Sequence, residues 1–264
     1  MLGLLLLLTA CGSGGTTAGP APAPAAPTST PGPASTSTST TPPPASTTEP
    51  AAATPPATEP TATEPEAEAT LTVTAVHPWL ARAGEAGQAV VVTTGGYGET
   101  TASLTTWQRT AGRWEPVHGP WPANVGYAGF APPDEKREGD GRTPSGTYGF
   151  NFAFGIEPDP GTALPYRRVT GPSIVWDDVP SSPTYNQWVD GGVGEAMYQT
   201  PVYDYGAVIA YNTARTPGLG SAIFFHVSTG RPTAGCVSLP VDRLLEVLRW
   251  LDPARAPVIV MGGA

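Results

Sequence analysis

Between Gly12 and Thr70 the chain carries no Leu, Ile, Val, Phe, Tyr or Trp, and no Lys or Arg. A stretch built from Ala, Pro, Thr, Ser and Gly, charged only at Glu49, Glu59, Glu64, Glu66 and Glu68, has nothing to bury against a core. It cannot offset the entropy of being ordered, so its composition predicts a disordered Pro/Thr/Ala-rich linker over 12–70. Any fold must therefore be built from residues 71–264, which suffice for one domain with its own core. As a coil the linker would span about 40 Å, and up to roughly 180 Å if its prolines hold it extended. Its Thr/Ser/Pro mixture also admits O-glycosylation.

Ahead of the linker stands Met1-Leu2-Gly3-Leu4-Leu5-Leu6-Leu7-Leu8-Thr9-Ala10-Cys11. This apolar run is shorter than the roughly 20 residues a membrane-spanning helix needs. It reads as an export signal. Leu8-Thr9-Ala10-Cys11 resembles a lipobox, so the expectation is a lipoprotein-type signal over 1–11 with lipidation at Cys11, anchoring the chain to the outer face of the cytoplasmic membrane. No Lys or Arg precedes the leucines, so either the true start lies upstream or the signal is weak. Removing the five linker glutamates from the net charge of −9 leaves −4 on residues 71–264. With no basic stripe, nucleic acid is not an expected partner.

The domain reads as mainly β. Gln88–Thr94 is a continuous β-branched run. Thr101–Arg109 alternates, and Ala111-Gly112 turns it into Arg113–Val117. Further strands are expected at Ser173–Trp176, Ala207–Tyr211, Ala222–Val227 and Val258–Val260. Pro and Gly recur too often between Gly119 and Gly171 for a long helix. One helix is predicted, Val241–Leu251, with Val241, Leu244, Leu245, Leu248 and Leu251 on its apolar face. Pro240 suits its first turn, Asp242 its dipole and Pro253 its end.

Once Cys11 is set aside, Cys236 is the only cysteine. His226 ends the strand ten residues earlier, with Ala222, Phe224 and His226 expected on one face and Ile223, Phe225 and Val227 on the other. A loop of that length brings Cys236 back beside His226. The helix that follows offers its N-terminal dipole to a thiolate, and Gly235 leaves bare amides suited to an oxyanion. Nucleophile, base and oxyanion donors together favour catalysis over a buried structural thiol. One Cys and one nearby His do not make a zinc site, and no cofactor is expected. Gly191-Gly192-Val193-Gly194 lacks the dinucleotide pattern, and no G-x-S-x-G suggests a serine hydrolase.

Pro232-Thr233-Ala234-Gly235-Cys236-Val237-Ser238-Leu239, with Gly220–Val227 before it, resembles the catalytic signature of L,D-transpeptidase (YkuD-type) domains. Arg137–Tyr148, containing Gly139-Asp140-Gly141-Arg142-Thr143-Pro144-Ser145-Gly146, is similar to the family's G-D-x-x-T-P-x-G segment. The resemblance covers most of residues 88–264 and implies a β-rich, sandwich- or barrel-like fold with one clear helix after the cysteine. It implies Cys236 as nucleophile, His226 as base, and the Val227 backbone carbonyl as the group orienting the imidazole. Thr233 and Gly235 fill motif positions. The implied partners are peptidoglycan stem peptides: D-Ala leaves, a thioester forms, and a neighbouring amine resolves it into a 3→3 crosslink. Carbapenems are implied inhibitors.

Three departures set this chain apart. Ala234 stands where most members have a second histidine, Ser238 stands where an arginine is common, and the loop between base and nucleophile is short. Arg231, Trp176 and Tyr185 are candidate substrate-binding residues, with Asn186 and Trp188 as further groove candidates. Asp140, Arg142 and Thr143 are read first as a structural turn. Two other readings stay open: an L,D-carboxypeptidase hydrolysing the same bond, and a non-catalytic wall-binding lipoprotein.

Overall fold

A computed structural model of the chain describes residues 76–264; the expected signal, the expected lipidation site Cys11 and the expected linker lie outside the described residues. Strands β1 (Gln88–Thr94), β2 (Thr101–Thr110) and β3 (Arg113–Asn124) form an antiparallel meander. Short strands β4 (Phe130–Ala131) and β5 (Thr143–Pro144) pair in parallel. Strands β6 (Gly146–Gly155) and β7 (Tyr166–Arg168) follow, then β8 (Ile174–Asp177), β9 (Gln187–Asp190) and β10 (Glu195–Ala196), which form a small separate sheet. The chain continues through β11 (Gly206–Ile209), β12 (Phe224–Val227), β13 (Val237–Leu239), helix α1 (Val241–Trp250) and β14 (Val258–Gly263).

Eight strands run in the order β11-β12-β13-β3-β2-β1-β14-β6, and β6 also pairs with β11, which closes the sheet into a barrel-like ring. Strand β7 adds to the outer part of β6. The fold is thus mainly β with one α-helix among the described residues, as the alternation and the single helical pattern predict.

Alternation along β12 sorts its side chains into two layers. Phe225 and Val227 join Val90, Val92, Leu104 and Leu239 in the main core. Phe224 faces the other way, into a second cluster with Phe154, Trp176, Tyr203 and Cys236. Helix α1 packs on β11, β12 and β13 and delivers Leu244, Val247 and Leu248 to the main core, with Leu251 just beyond its end. Each such burial contributes roughly 1.5–3 kcal/mol. The helix is rotated from the expected face: Val247 is buried, whereas Val241 is exposed.

The two longest departures from expectation are β3 and β6. β3 continues past Val117 to Asn124 despite Pro120 and Pro122. Its second edge meets β13 only at the Ser238–Asn124 pair, so most of that edge needs no ladder donors and tolerates proline. β6 spans ten residues where glycines at 146, 149 and 155 masked a strand. Its Tyr148, Phe150, Phe152 and Phe154 carry the period-2 pattern.

Candidate active site

Strands β12 and β13 run parallel, with Phe225 opposite Val237 and His226 opposite Ser238. Paired positions share a face, and so do positions two apart on one strand. Cys236, His226 and Ser238 therefore come to one side of the β12–β13 ribbon, where all three line a cleft of about 330 Å³. Thr233, Ala234, Gly235 and Arg231 border the same cleft. Cys236 is a free thiol.

The imidazole is held by its own strand. His226 Nδ1 lies 2.8 Å from the Val227 carbonyl oxygen. A carbonyl only accepts, so Nδ1 carries the proton and Nε2 is left with the lone pair. The Tyr203 ring stands edge-on to the imidazole at 5.5 Å between centroids. Burial lowers the His226 pKa to about 4, against the Val227 hydrogen bond, which raises it.

The thiol is equally enclosed. Cys236 Sγ accepts from the Phe224 amide at 3.3 Å and donates to the Ala222 carbonyl at 3.4 Å. Burial pushes its pKa up to about 12, against the Phe224 amide. A helix N-terminus does not assist it, contrary to the sequence expectation, because β13 and Pro240 separate Cys236 from α1. The two groups therefore rest as neutral thiol and neutral imidazole.

Cys236 is fixed from behind by both motifs. Thr233 Oγ1 donates to the Cys236 carbonyl at 2.8 Å, and Thr143 Oγ1 donates to the same oxygen at 3.0 Å. The Gly126 amide donates to Thr143 Oγ1 in turn. Gly235 has a positive φ of 150°, and a Cβ there would stand 3.0 Å from the Arg142 carbonyl oxygen, so the turn demands glycine. The Gly235 amide is not bare, because it donates to Thr233 Oγ1 at 3.1 Å.

Lys136, Glu138 and Gly139 also line the cleft, and the sequence reading passed over Lys136 and Glu138. Lys136 is buried, and its Nζ donates to Asp140 Oδ1 and to the Arg137 carbonyl, both at 2.6 Å. Burial works against the Asp140 charge, but Lys136 and the amides of Arg137 and Arg142 hold its pKa below the usual value. Asp178 and Glu195 line the cleft as well. Asp178 is raised by burial and by the charges of Glu138, Glu195 and Asp177. Glu138 takes hydrogen bonds from Ser221 and Tyr185, and Glu195 takes one from Tyr203.

Arg231 lies at the exposed rim of the cleft. Trp176 and Tyr185 do not line it: Trp176 is packed in the aromatic cluster around Phe224, and Tyr185 is buried against Glu138. Asn186 and Trp188 also stand outside the cleft; Asn186 accepts from Trp176 Nε1 and Trp188 packs on Phe154. One polar atom in the cleft wall is unpaired. Ser238 is 1% exposed, and its Oγ has no hydrogen-bond partner. Among the described residues no group of three His, Cys, Asp or Glu is arranged to hold a metal ion, and no helix is long and apolar enough to cross a membrane.

A barrel-like β domain with an imidazole on one strand and a thiol just ahead of the neighbouring strand, both lining one cleft, defines the class. The L,D-transpeptidase catalytic domain family, YkuD, matches residues 99–260, and the chain belongs to that family. No curated protein matches the sequence. Among solved structures, the helical cell shape determining protein Pgp2 from Campylobacter jejuni is similar at 15% identity and a TM-score of 0.33. That match covers 70% of this chain and spans only 54% of Pgp2.

Proposed function

We propose that the chain is a cysteine-dependent L,D-transpeptidase acting on peptidoglycan stem peptides. Cys236 is the nucleophile and His226 the base. The observation that carries this reading is that Cys236 and His226 line one cleft, with His226 Nδ1 tied to the Val227 carbonyl so that Nε2 is the basic nitrogen. In the reaction His226 Nε2 takes the thiol proton as Sγ attacks the carbonyl before the terminal D-Ala. The tetrahedral intermediate collapses to a thioester, and the proton passes from Nε2 to the departing D-Ala amine. An amine of a second stem then attacks the thioester and gives up a proton to Nε2, which returns it to Sγ. The product is a 3→3 crosslink.

Because thiol and imidazole rest neutral, the proton moves during attack rather than before it. Thr143 and Thr233 keep the Cys236 carbonyl, and with it the nucleophile's backbone, in place. We further propose that an export signal and a lipid at Cys11 hold the domain outside the cytoplasmic membrane, with residues 12–70 as its tether to the wall. Carbapenems are proposed to acylate Cys236.

Incubation with a tetrapeptide-stem muropeptide, followed by product mass analysis, tests the reading. D-Ala release with a crosslinked dimer is expected, and both are lost in Cys236→Ala. D-Ala release without dimer, even with added acceptor, would assign an L,D-carboxypeptidase instead. Binding to sacculi that Cys236→Ala leaves unchanged, with no D-Ala release by the wild type, would assign a wall-binding module.

A further inference from the structure

Buried hydroxyls are hydrogen-bonded in nearly all folded proteins, so one without a partner calls for a physical reason. Ser238 Oγ is such a group. It is shielded from solvent, which leaves a neighbouring side chain as the natural partner in some other state of the site. The parallel register sets Ser238 directly opposite His226 on the same face of the ribbon. Nothing bonds Nε2 in the resting state, where the only hydrogen bond of the imidazole among the described residues is from Nδ1 to Val227.

We propose that Ser238 is a positioning residue that accepts a hydrogen bond from His226 Nε2–H once the imidazole is protonated. This inference rests on the reading of His226 as the base. The Cys236 proton that reaches Nε2 creates a donor in a dry site, and that donor needs an acceptor while the thiolate is consumed in forming the bond to carbon. A serine oxygen offers lone pairs without charge. An unpaired Oγ at rest and a paired Oγ during turnover is then the expected pattern, stabilising the imidazolium only when it is made.

Other groups facing His226 are less suited to this task. Just ahead of β13 stands Cys236, which is the proton's source. The Tyr203 ring meets the imidazole edge-on, and the Tyr203 hydroxyl is committed to Glu195 Oε1 at 2.9 Å. Elsewhere in the cleft lining Lys136 is tied to Asp140, Glu138 is tied to Ser221 and Tyr185, and Asp178 and the rim Arg231 make up the remaining charges.

The test titrates His226 by NMR in the full chain, whose three histidines make assignment by a His226 variant direct, and pairs the titration with turnover. Ser238→Ala is expected to lower the His226 pKa by about half a unit or more and to slow D-Ala release about tenfold. Ser238→Thr, which keeps the oxygen, is expected to restore both. Should alanine fail to fold, Ser238→Cys offers a poor acceptor of similar size for the same comparison. An unchanged His226 titration in Ser238→Ala or Ser238→Cys would overturn the proposal, as would a threonine variant no better than alanine. Absence of turnover in the wild type would instead count against the function itself, and the titration would still decide the role of Ser238.

Discussion

Thr143 hydrogen-bonds the main chain of Cys236 across 93 positions of sequence, its Oγ1 donating to the cysteine carbonyl at 3.0 Å. The bond is buried and joins the Gly139–Gly146 segment to the Gly-Cys step. Its partner Gly126 depends on the same hydroxyl. Thr143→Val keeps the shape and removes the donor, leaving the Gly126 amide unpaired. A loss of about 1–3 kcal/mol in stability is expected from urea unfolding. Turnover should also fall with the Cys236 thiol still present, because the nucleophile's backbone is less firmly held. Unchanged turnover in a destabilised variant would restrict Thr143 to a folding role.

The neutral resting pair predicts a quiet thiol. With its pKa pushed up to about 12 from an ordinary value of 9.0, the thiolate population at neutral pH is on the order of a thousandfold below that of an ordinary cysteine. Iodoacetamide should therefore label Cys236 very slowly at pH 7.5 in the absence of substrate, and faster as the pH rises above 9. Prompt alkylation at neutral pH would reveal a preformed ion pair.

His226 makes stability sensitive to acid. Its folded pKa of about 4 lies below the unfolded value of 6.5, so the unfolded chain binds the proton more tightly. Stability is unaffected above about pH 6.5 and falls as the pH drops from there toward 4. The loss by pH 4.5 amounts to about 2–3 kcal/mol. Urea unfolding at pH 7.5 and 4.5 should show that His226→Gln loses less on acidification than the wild type, by that margin. Equal losses would mean that the imidazole is not held neutral by the fold.

Helix α1 supports the site through packing alone. Leu248 is fully buried in the main core between α1 and the barrel. Leu248→Ala should cost about 2–5 kcal/mol. Activity per folded molecule should stay near the wild-type value at low temperature, since the helix places no side chain in the cleft. A large loss of activity in the folded fraction would show that α1 does more than brace β12 and β13.

What was legible in the sequence was what is local. The eleven residues from His226 to Cys236 carry their own strand alternation and turn glycine, so their common cleft follows from period and loop length. The helix was read from its spacing, yet the three residues of β13 were not, and the expected dipole at the thiol disappeared with them. β3 ran on because its outer edge is largely unpaired, a fact of topology that Pro120 and Pro122 do not disclose. Lys136, Glu138 and Glu195 meet the cleft only through long-range closure of the barrel. Trp176 and Tyr185 were drawn as groove residues by their type, and the aromatic cluster around Phe224 claimed the first while Glu138 claimed the second. Ser238 was visible only as a departure from a motif, since its unpaired oxygen exists only once β12 and β13 are in register.

The most direct test of the central claim is the intact mass of the full chain after incubation with a carbapenem, with Cys236→Ala alongside. Addition of one drug molecule to the wild type and none to the variant is the predicted result. A folded wild type that gains no mass, or a variant that gains the same mass, would contradict the assignment of Cys236 as the nucleophile.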